Sequence, residues 1–297
     1  MEHEAVEVMH WYDKHYKLIL VIPAIMIVAA LIYLSGFFAA HGDIILKDVS
    51  LTGGTTVTVF DAGVDLDVLQ ADLELKFEDV KVRGLTDFQT GAQQGFVLDT
   101  KADVADVRGA VEEFLGYQLT QENSSIEFTG AALSSGFYQQ LRFAIGLAFV
   151  LMAIVVFLIF RSFVPSGAVV LSAFADIILT VATVNLLGME MGTAGIIGFL
   201  MLIGYSVDTD ILLTTRVLKR HEGTVNERIW ESCKTGLTMT LTSMVAVGVA
   251  LAVVWSVSDV LRQIFTVLLI GLGFDLIMTW LANAGILKWY ASRRQHG

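Results

Sequence analysis

The chain has 297 residues, 55% hydrophobic and 16% charged, with a mean hydropathy of +0.68; that excludes an ordinary soluble domain and indicates a polytopic α-helical membrane protein. One cysteine, Cys233, excludes an intrachain disulfide and a multi-cysteine metal centre. The net charge of −11 disfavours nucleic acid as a partner, and no Walker-type glycine loop points to ATP.

Residues 1–17 are polar, with Trp11, Tyr12 and Tyr16 suited to the lipid headgroup level. Leu18 to Ala40 is uncharged for 23 residues, enough to cross roughly 30 Å of hydrocarbon. A cleaved signal has an apolar core of only about 7–15 residues, so 18–40 reads as an uncleaved first span with residues 1–17 inside.

The next segment, 41–138, holds the charge imbalance. Between His41 and Gly136, 17 acidic residues meet 6 basic ones, while the remainder balances at 13 each. Such a surface suits a well-solvated unit, including one adapted to high salt, or an acidic docking face. Thr55–Phe60, Val80–Leu85, Gly95–Leu98 and Ser125–Phe128 read as strands. Asp65–Phe77 is a helix with Leu66, Leu69, Leu73 and Phe77 on one face; Asp103–Tyr117 is a second, with Asp103 as N-cap. The order β-α-β-β-α-β is that of an α+β ferredoxin-like unit.

Five further spans follow within 139–288: 143–160, 164–187, 193–214, 237–254 and 263–287, with a polar loop at 215–236 and a tail at 289–297. Lys14, Lys17, Arg161, the loop residues Arg216, Lys219, Arg220, Arg228 and Lys234, and the terminal Lys288, Arg293 and Arg294 all fall on one side. The positive-inside rule makes that side cytoplasmic, with both termini on it, and the acidic unit extracytoplasmic.

Four carboxylates lie inside spans: Asp176, Asp208, Asp210 and Asp275. Each costs at least roughly 2.5–3.5 kcal/mol at membrane depth, so a chain that keeps one usually uses it. Asp176 and Asp275 are near mid-depth; Asp208 and Asp210 lie about 9 and 6 Å from the inner end of their span at about 1.5 Å per residue. They are about 200° apart on the helix. One faces the core of the six-span unit and the other a neighbouring subunit, or Asp210 is simply solvated. Thr238 with Thr242, and Thr240 with Ser243, offer hydroxyl pairs to a carboxylate, with Lys234 at the entrance. Arg216 ends the fourth span as a topology determinant or a functional cation. The six histidines are all in tails or loops, so carboxylates are the candidates for moving an ion. No cofactor, metal site or catalytic residue is indicated.

Three patterns carry a family resemblance: Leu51-Thr52-Gly53-Gly54-Thr55 opening the acidic unit, Asp176 within AFADIILTVATVNLLGMEM, and the fourth-span stretch GYSVDTDILLTTR ending in Arg216, followed by KTGLTMTLTSM. In this topology the chain resembles the SecD/SecF protein-export family, one half of an RND-type transporter, on the SecF side. Its aspartates flank Thr209, where the bacterial signature places one; Lys234 stands where arginine is usual; Asp275 has no usual bacterial counterpart. These departures resemble an archaeal member, and Asp176 carries over most directly. The resemblance implies a non-enzymatic subunit of the Sec pathway in the cell membrane. It implies pairing with a SecD-like six-span protein beside the Sec translocon, and assistance to secreted proteins by use of a proton or sodium gradient. The alternative is half of a small-molecule or lipid exporter, which would usually carry two large outer domains or twelve spans. An intramembrane protease is disfavoured, because Gly204-Tyr205-Ser206-Val207-Asp208 does not match a Gly-x-Gly-Asp motif.

Overall fold

A computed structural model describes residues 15–87, 90–220, 222–255 and 257–295. Trp11, Tyr12, Lys14, His221 and His296 therefore lie outside the described residues, as does the side chain of Arg294. Six helical segments are long and apolar enough to cross a membrane: His15–His41, Ala131–Phe160, Phe163–Leu186, Thr193–Lys219, Val225–Val254 and Asp259–Arg293. A small antiparallel sheet stands between the first and second.

Helix α1 (Val21–His41) ends at Gly42, whose φ of 73° makes a left-handed cap that a side chain would strain. Beyond it, the chain is pinned to the bundle. Tyr138 donates its hydroxyl to Asp43 at 2.8 Å, and Asn185 donates its amide to the Ile44 carbonyl at 2.7 Å. A short α2 (Val49–Thr52) then leads through Gly53 and Gly54 into the sheet.

The sheet unit comprises β1 (Gly54–Val59), α3 (Leu66–Glu74), β2 (Lys81–Thr86), β3 (Gln93–Thr100), α4 (Val104–Leu115) and β4 (Ser124–Thr129). Strand order is β2-β3-β1-β4, each neighbour antiparallel. Alternation puts Val57, Val59, Phe96 and Leu98 on one face, where Leu69 and Leu73 of α3 and Val107 and Val111 of α4 complete the core. Asp65 caps α3 by accepting from the Asp67 and Val68 amides. Asp103 occupies the N-cap position of α4 as expected, though its side chain makes no capping bond.

The remaining helices are α5 (Ala131–Phe160), α6 (Phe163–Leu186), α7 (Thr193–Lys219), α8 (Val225–Val254) and α9 (Asp259–Ile277). A π-helical segment, Met278–Asn283, follows without a break and runs into α10 (Ala284–Gln295). Helices α6 and α7 are central. Helices α1, α5 and α8 turn side chains such as Ile25, Ile32, Val150, Leu158, Val245 and Val249 outward, an apolar surface that only lipid or another apolar partner would cover. Helix α7 meets α9 closely: a Cβ on Gly271 would overlap Leu202, and one on Gly198 would sit 3.2 Å from Val267.

The stretch 215–236 is mostly helix rather than the expected polar loop. Helix α7 continues to Lys219 and α8 begins at Val225. Thr224 and Glu227 form a capping box that starts α8 early, and Val225 and Ile229 are buried with Leu213, Val217 and Leu287. Charges on the opposite face concealed this apolar stripe from a reading by composition.

Candidate functional site

Three spans each carry polar side chains at i, i+4 and i+8, and so on one helical face. They are Ser172, Asp176 and Thr180 on α6; Ser206, Asp210 and Thr214 on α7; and Asp275 on α9 with Thr279 and Asn283 of the π segment. All nine are buried, with Asp176, Asp210 and Asp275 each 0% exposed. The central helices thus turn their polar faces toward one another, inside an apolar shell.

Among the described residues the partners are hydroxyls and an amide rather than cations. Ser206 donates to Asp176 Oδ2 at 2.6 Å, joining α7 to α6. Thr279 lies 2.9 Å from Asp210 Oδ1 and 3.2 Å from Asp275 Oδ1, and so bridges α7 and α9. Asn283 donates to Asp210 Oδ1 at 2.7 Å. Ser172 stands beside Asp210, and the three carboxylates are within electrostatic reach of one another. Asp176 Oδ1, Asp210 Oδ2 and Asp275 Oδ2 accept no hydrogen bond among the described residues. π-Helical insertions are rare and occur often at functional sites. Here one supplies both donors to Asp210.

A hydroxyl has one proton and donates to one acceptor. Thr279 therefore satisfies either Asp210 or Asp275. The other oxygen completes the bridge only with a proton of its own or a bound cation. Carboxylates without a counter-ion in a low-dielectric interior are expensive unless neutralised in this way.

The other residues singled out from the sequence fall into different places. Asp208 is exposed on the outward side of α7 with Ile197, Met201 and Tyr205, whereas Asp210 points inward. The alternative of a solvated Asp210 is overturned: packing of α9 and the π segment covers it. Among the described residues, Thr238 and Thr242 meet no carboxylate. They donate to the carbonyls of Lys234 and Thr238 in their own helix, at 2.8 and 2.6 Å. With Lys234 and Ser243 they line an open groove on α8. The Lys234 ammonium lies 5.4 Å over the Trp230 ring. Arg216 donates to the Glu231 carbonyl and to Thr235 at 3.0 and 2.9 Å, tying α7 to α8. Thr209 is buried against Gly236, where a Cβ would sit 3.2 Å from its methyl group. Gly53 and Gly54 have φ of 87° and 151°, and a Cβ on Gly53 would lie 2.5 Å from the Ala131 backbone. Gly53 seats the sheet against the start of α5, and Gly54 lets β1 lie close to the Thr100 carbonyl of β3.

Sequence reasoning missed Ser172, Thr180, Ser206, Thr279 and Asn283. A signal was available: a hydroxyl or amide four residues from each aspartate, on one face of an otherwise apolar span.

A family profile described as protein export membrane protein SecD/SecF, C-terminal, matches residues 111–293. A protein-export membrane protein SecF from Methanocaldococcus jannaschii is 42% identical over 283 residues, covering 93% of this chain and 96% of that one. Another from Methanothermobacter thermautotrophicus is 39% identical over 290 residues, covering 95% and 94%. The crystal structure of SecDF, a translocon-associated membrane protein from Thermus thermophilus, superposes with a TM-score of 0.73 at 16% identity. That match covers 95% of this chain and 38% of the solved one, and at this identity it speaks to the fold alone.

Proposed function

We propose that this chain, which belongs to the SecD/SecF family of protein-export membrane proteins and is of the archaeal SecF type, is an auxiliary subunit of the Sec machinery that couples an ion gradient to protein export. The observation that carries the coupling is the Thr279 bridge between Asp210 and Asp275, a hydroxyl with one proton between two buried carboxyl groups. Asp176 joins the same path through Ser206. Loading a proton or sodium ion removes the cost of the buried charge and changes which helix the bridging hydroxyl holds. One charge moved across 100 mV releases about 2.3 kcal/mol, enough to shift a two-state packing equilibrium severalfold to tens-fold.

The surroundings fit this reading. The sheet order and two covering helices support the reading of a ferredoxin-like unit. Basic residues at the opposite ends of the helices support a cytoplasmic side there, with the acidic unit outside the cell membrane. The exposed Asp208 and the apolar outward face of α7 suit contact with a SecD-like six-span subunit, and the solved relative is far longer than this chain. The translocon and emerging secreted chains are the further partners.

Two measurements test the proposal: copurification in mild detergent, and secretion kinetics at varied membrane potential. Recovery with a SecD-like six-span protein and potential-dependent secretion are expected. A homo-oligomer alone, with secretion unaffected by depletion of the chain, would sink it.

A further inference from the structure

Helix α7 starts without a cap of its own. Its N-cap residue is Gly192, which has no side chain to offer the first amides. Those amides are satisfied from elsewhere. Gln263, in the second turn of α9, accepts from the Gly192 and Gly195 amides at 2.9 and 3.3 Å. Ser50 Oγ accepts from the Thr193 amide at 3.0 Å. The Gln263 amide group donates to Asp48 Oδ2 at 3.3 Å, and Asp48 Oδ1 accepts from the Ser50 amide and hydroxyl at 2.9 and 2.6 Å. Backbone bonds add to this: the Asp48 amide to the Met191 carbonyl at 3.2 Å, and the Met191 amide to the Leu46 carbonyl at 2.7 Å.

The glycines are required by the same contact. A Cβ on Gly192 would strike Asp48 and Ser50, and one on Gly195 would lie 2.5 Å from Met191 Sδ. The knot therefore fastens three things together: the start of α7, the start of α9, and the segment that enters the sheet unit through α2 and Gly53–Gly54. The same two helix starts are gripped a second time from β2. Lys81 pairs with Glu190, just before α7, at 2.5 Å, and Arg83 pairs with Asp259, the first residue of α9.

Helices α7 and α9 are also the two that the Thr279 bridge ties at the carboxylates. From Asp210 to Gly192 is 18 residues, roughly 27 Å of helix, and from Asp275 to Gln263 is 12, roughly 18 Å. A stiff helix carries an axial shift over such a distance, and small sliding of packed helices is a known mode of conformational change. Resting on the ion-coupling reading above, we propose that Gln263 and Asp48 are positioning residues. They join the ends of α7 and α9 to the sheet unit, so that a relative shift of the two carboxylate-bearing helices is transmitted to it.

The test measures the distance between spin labels on Leu75, in the sheet unit, and Leu187, at the end of α6, in full-length protein reconstituted in lipid with Cys233 replaced by serine. Both label sites are exposed, at 88% and 61%. The comparison is Asp210 against Asp210→Asn. A changed distance distribution in the parent background, lost in Gln263→Leu and in Asp48→Ala, supports the joint. Those variants lose buried contacts, so the surface pair supplies a second route. Lys81→Glu should weaken the response, and adding Glu190→Lys should restore it. A joint that is merely structural would change stability without changing the response to residue 210. A response that persists undiminished in Gln263→Leu and Asp48→Ala overturns the proposal, as does its absence in the parent. Secretion by Asp210→Asn cells separates the two ideas. Slowed secretion without a distance change rejects the joint alone; normal secretion rejects the ion-coupling reading as well.

Discussion

Replacing Asp210 by asparagine removes a charge and little else. Both hydrogen bonds to this side chain, from Thr279 at 2.9 Å and Asn283 at 2.7 Å, end on Oδ1. Asparagine keeps that acceptor and puts its amino group where Oδ2 stands, an atom that accepts nothing among the described residues. The Ser172 hydroxyl, which stands beside this side chain, offers an oxygen to the new donor. The effect on folding is therefore below about 1 kcal/mol. Asp210→Leu differs: it strands the Asn283 amide and leaves the Thr279 hydroxyl to Asp275. Intramembrane hydrogen bonds average about 0.6 kcal/mol and reach about 1.7, so losing the Asn283 bond costs roughly 0.6–1.7 kcal/mol. The assay is pulse-labelled secretion of a signal-bearing reporter, normalised to the membrane-inserted amount of each variant. Asp210→Asn should insert at the parent level yet secrete at least about tenfold more slowly, a barrier of about 1.4 kcal/mol. Asp210→Leu should also lose abundance. Parent-rate secretion by Asp210→Asn refutes a role for the charge. Losses that merely track abundance in both variants refute anything beyond packing.

Gly53→Ala should release the sheet unit from α5, because φ is 87° and the new Cβ would meet the Ala131 backbone at 2.5 Å. About 1–3 kcal/mol of strain is expected, read as faster proteolysis between 49 and 54. Thr224→Ala breaks the capping box of α8 at a cost of about 1 kcal/mol. Hydrogen exchange should accelerate over 225–229 and remain unchanged beyond Gly236. In the sheet unit, burial and the Asp61 carboxylate push the Tyr117 phenol up to about 12, while that hydroxyl holds Asp61 below its ordinary range. The unfolded chain then ionises its tyrosine first, so stability falls as pH rises from about 10 to 12. At the acid end, the Asp61 contribution is present above its unfolded value of 3.8 and is lost below it. Tyr117→Phe should flatten both limbs in a pH series of exchange protection at Asp61–Gly63.

Local rules were sufficient for much of this molecule. Long uncharged runs can satisfy their backbone in a bilayer only as helices, so the spans were visible in composition. Alternation in β1 and β3 and the Leu69–Leu73 stripe gave the sheet unit its strands and helices. The cost of intramembrane charge singled out Asp176, Asp208, Asp210 and Asp275 before any geometry was known. The helical period separated Asp208 from Asp210, but it could not say which one faced inward.

Tertiary structure decided that question. Asp210 is interior because α9 and a π segment pack over it, and no local pattern in MTWLAN announces a π turn. Thr238 and Thr242 looked as suitable for a carboxylate as Thr279 does, since a hydroxyl bonds whatever the packing brings within about 3 Å. The Gln263 joint spans residues 48, 192 and 263, and a contact between segments so distant in the chain has no period to betray it. The sequence by itself determined which side chains were too costly to be idle in a membrane, because that cost belongs to each residue alone. Which of them lie side by side, and which helices they join, depended on helix packing.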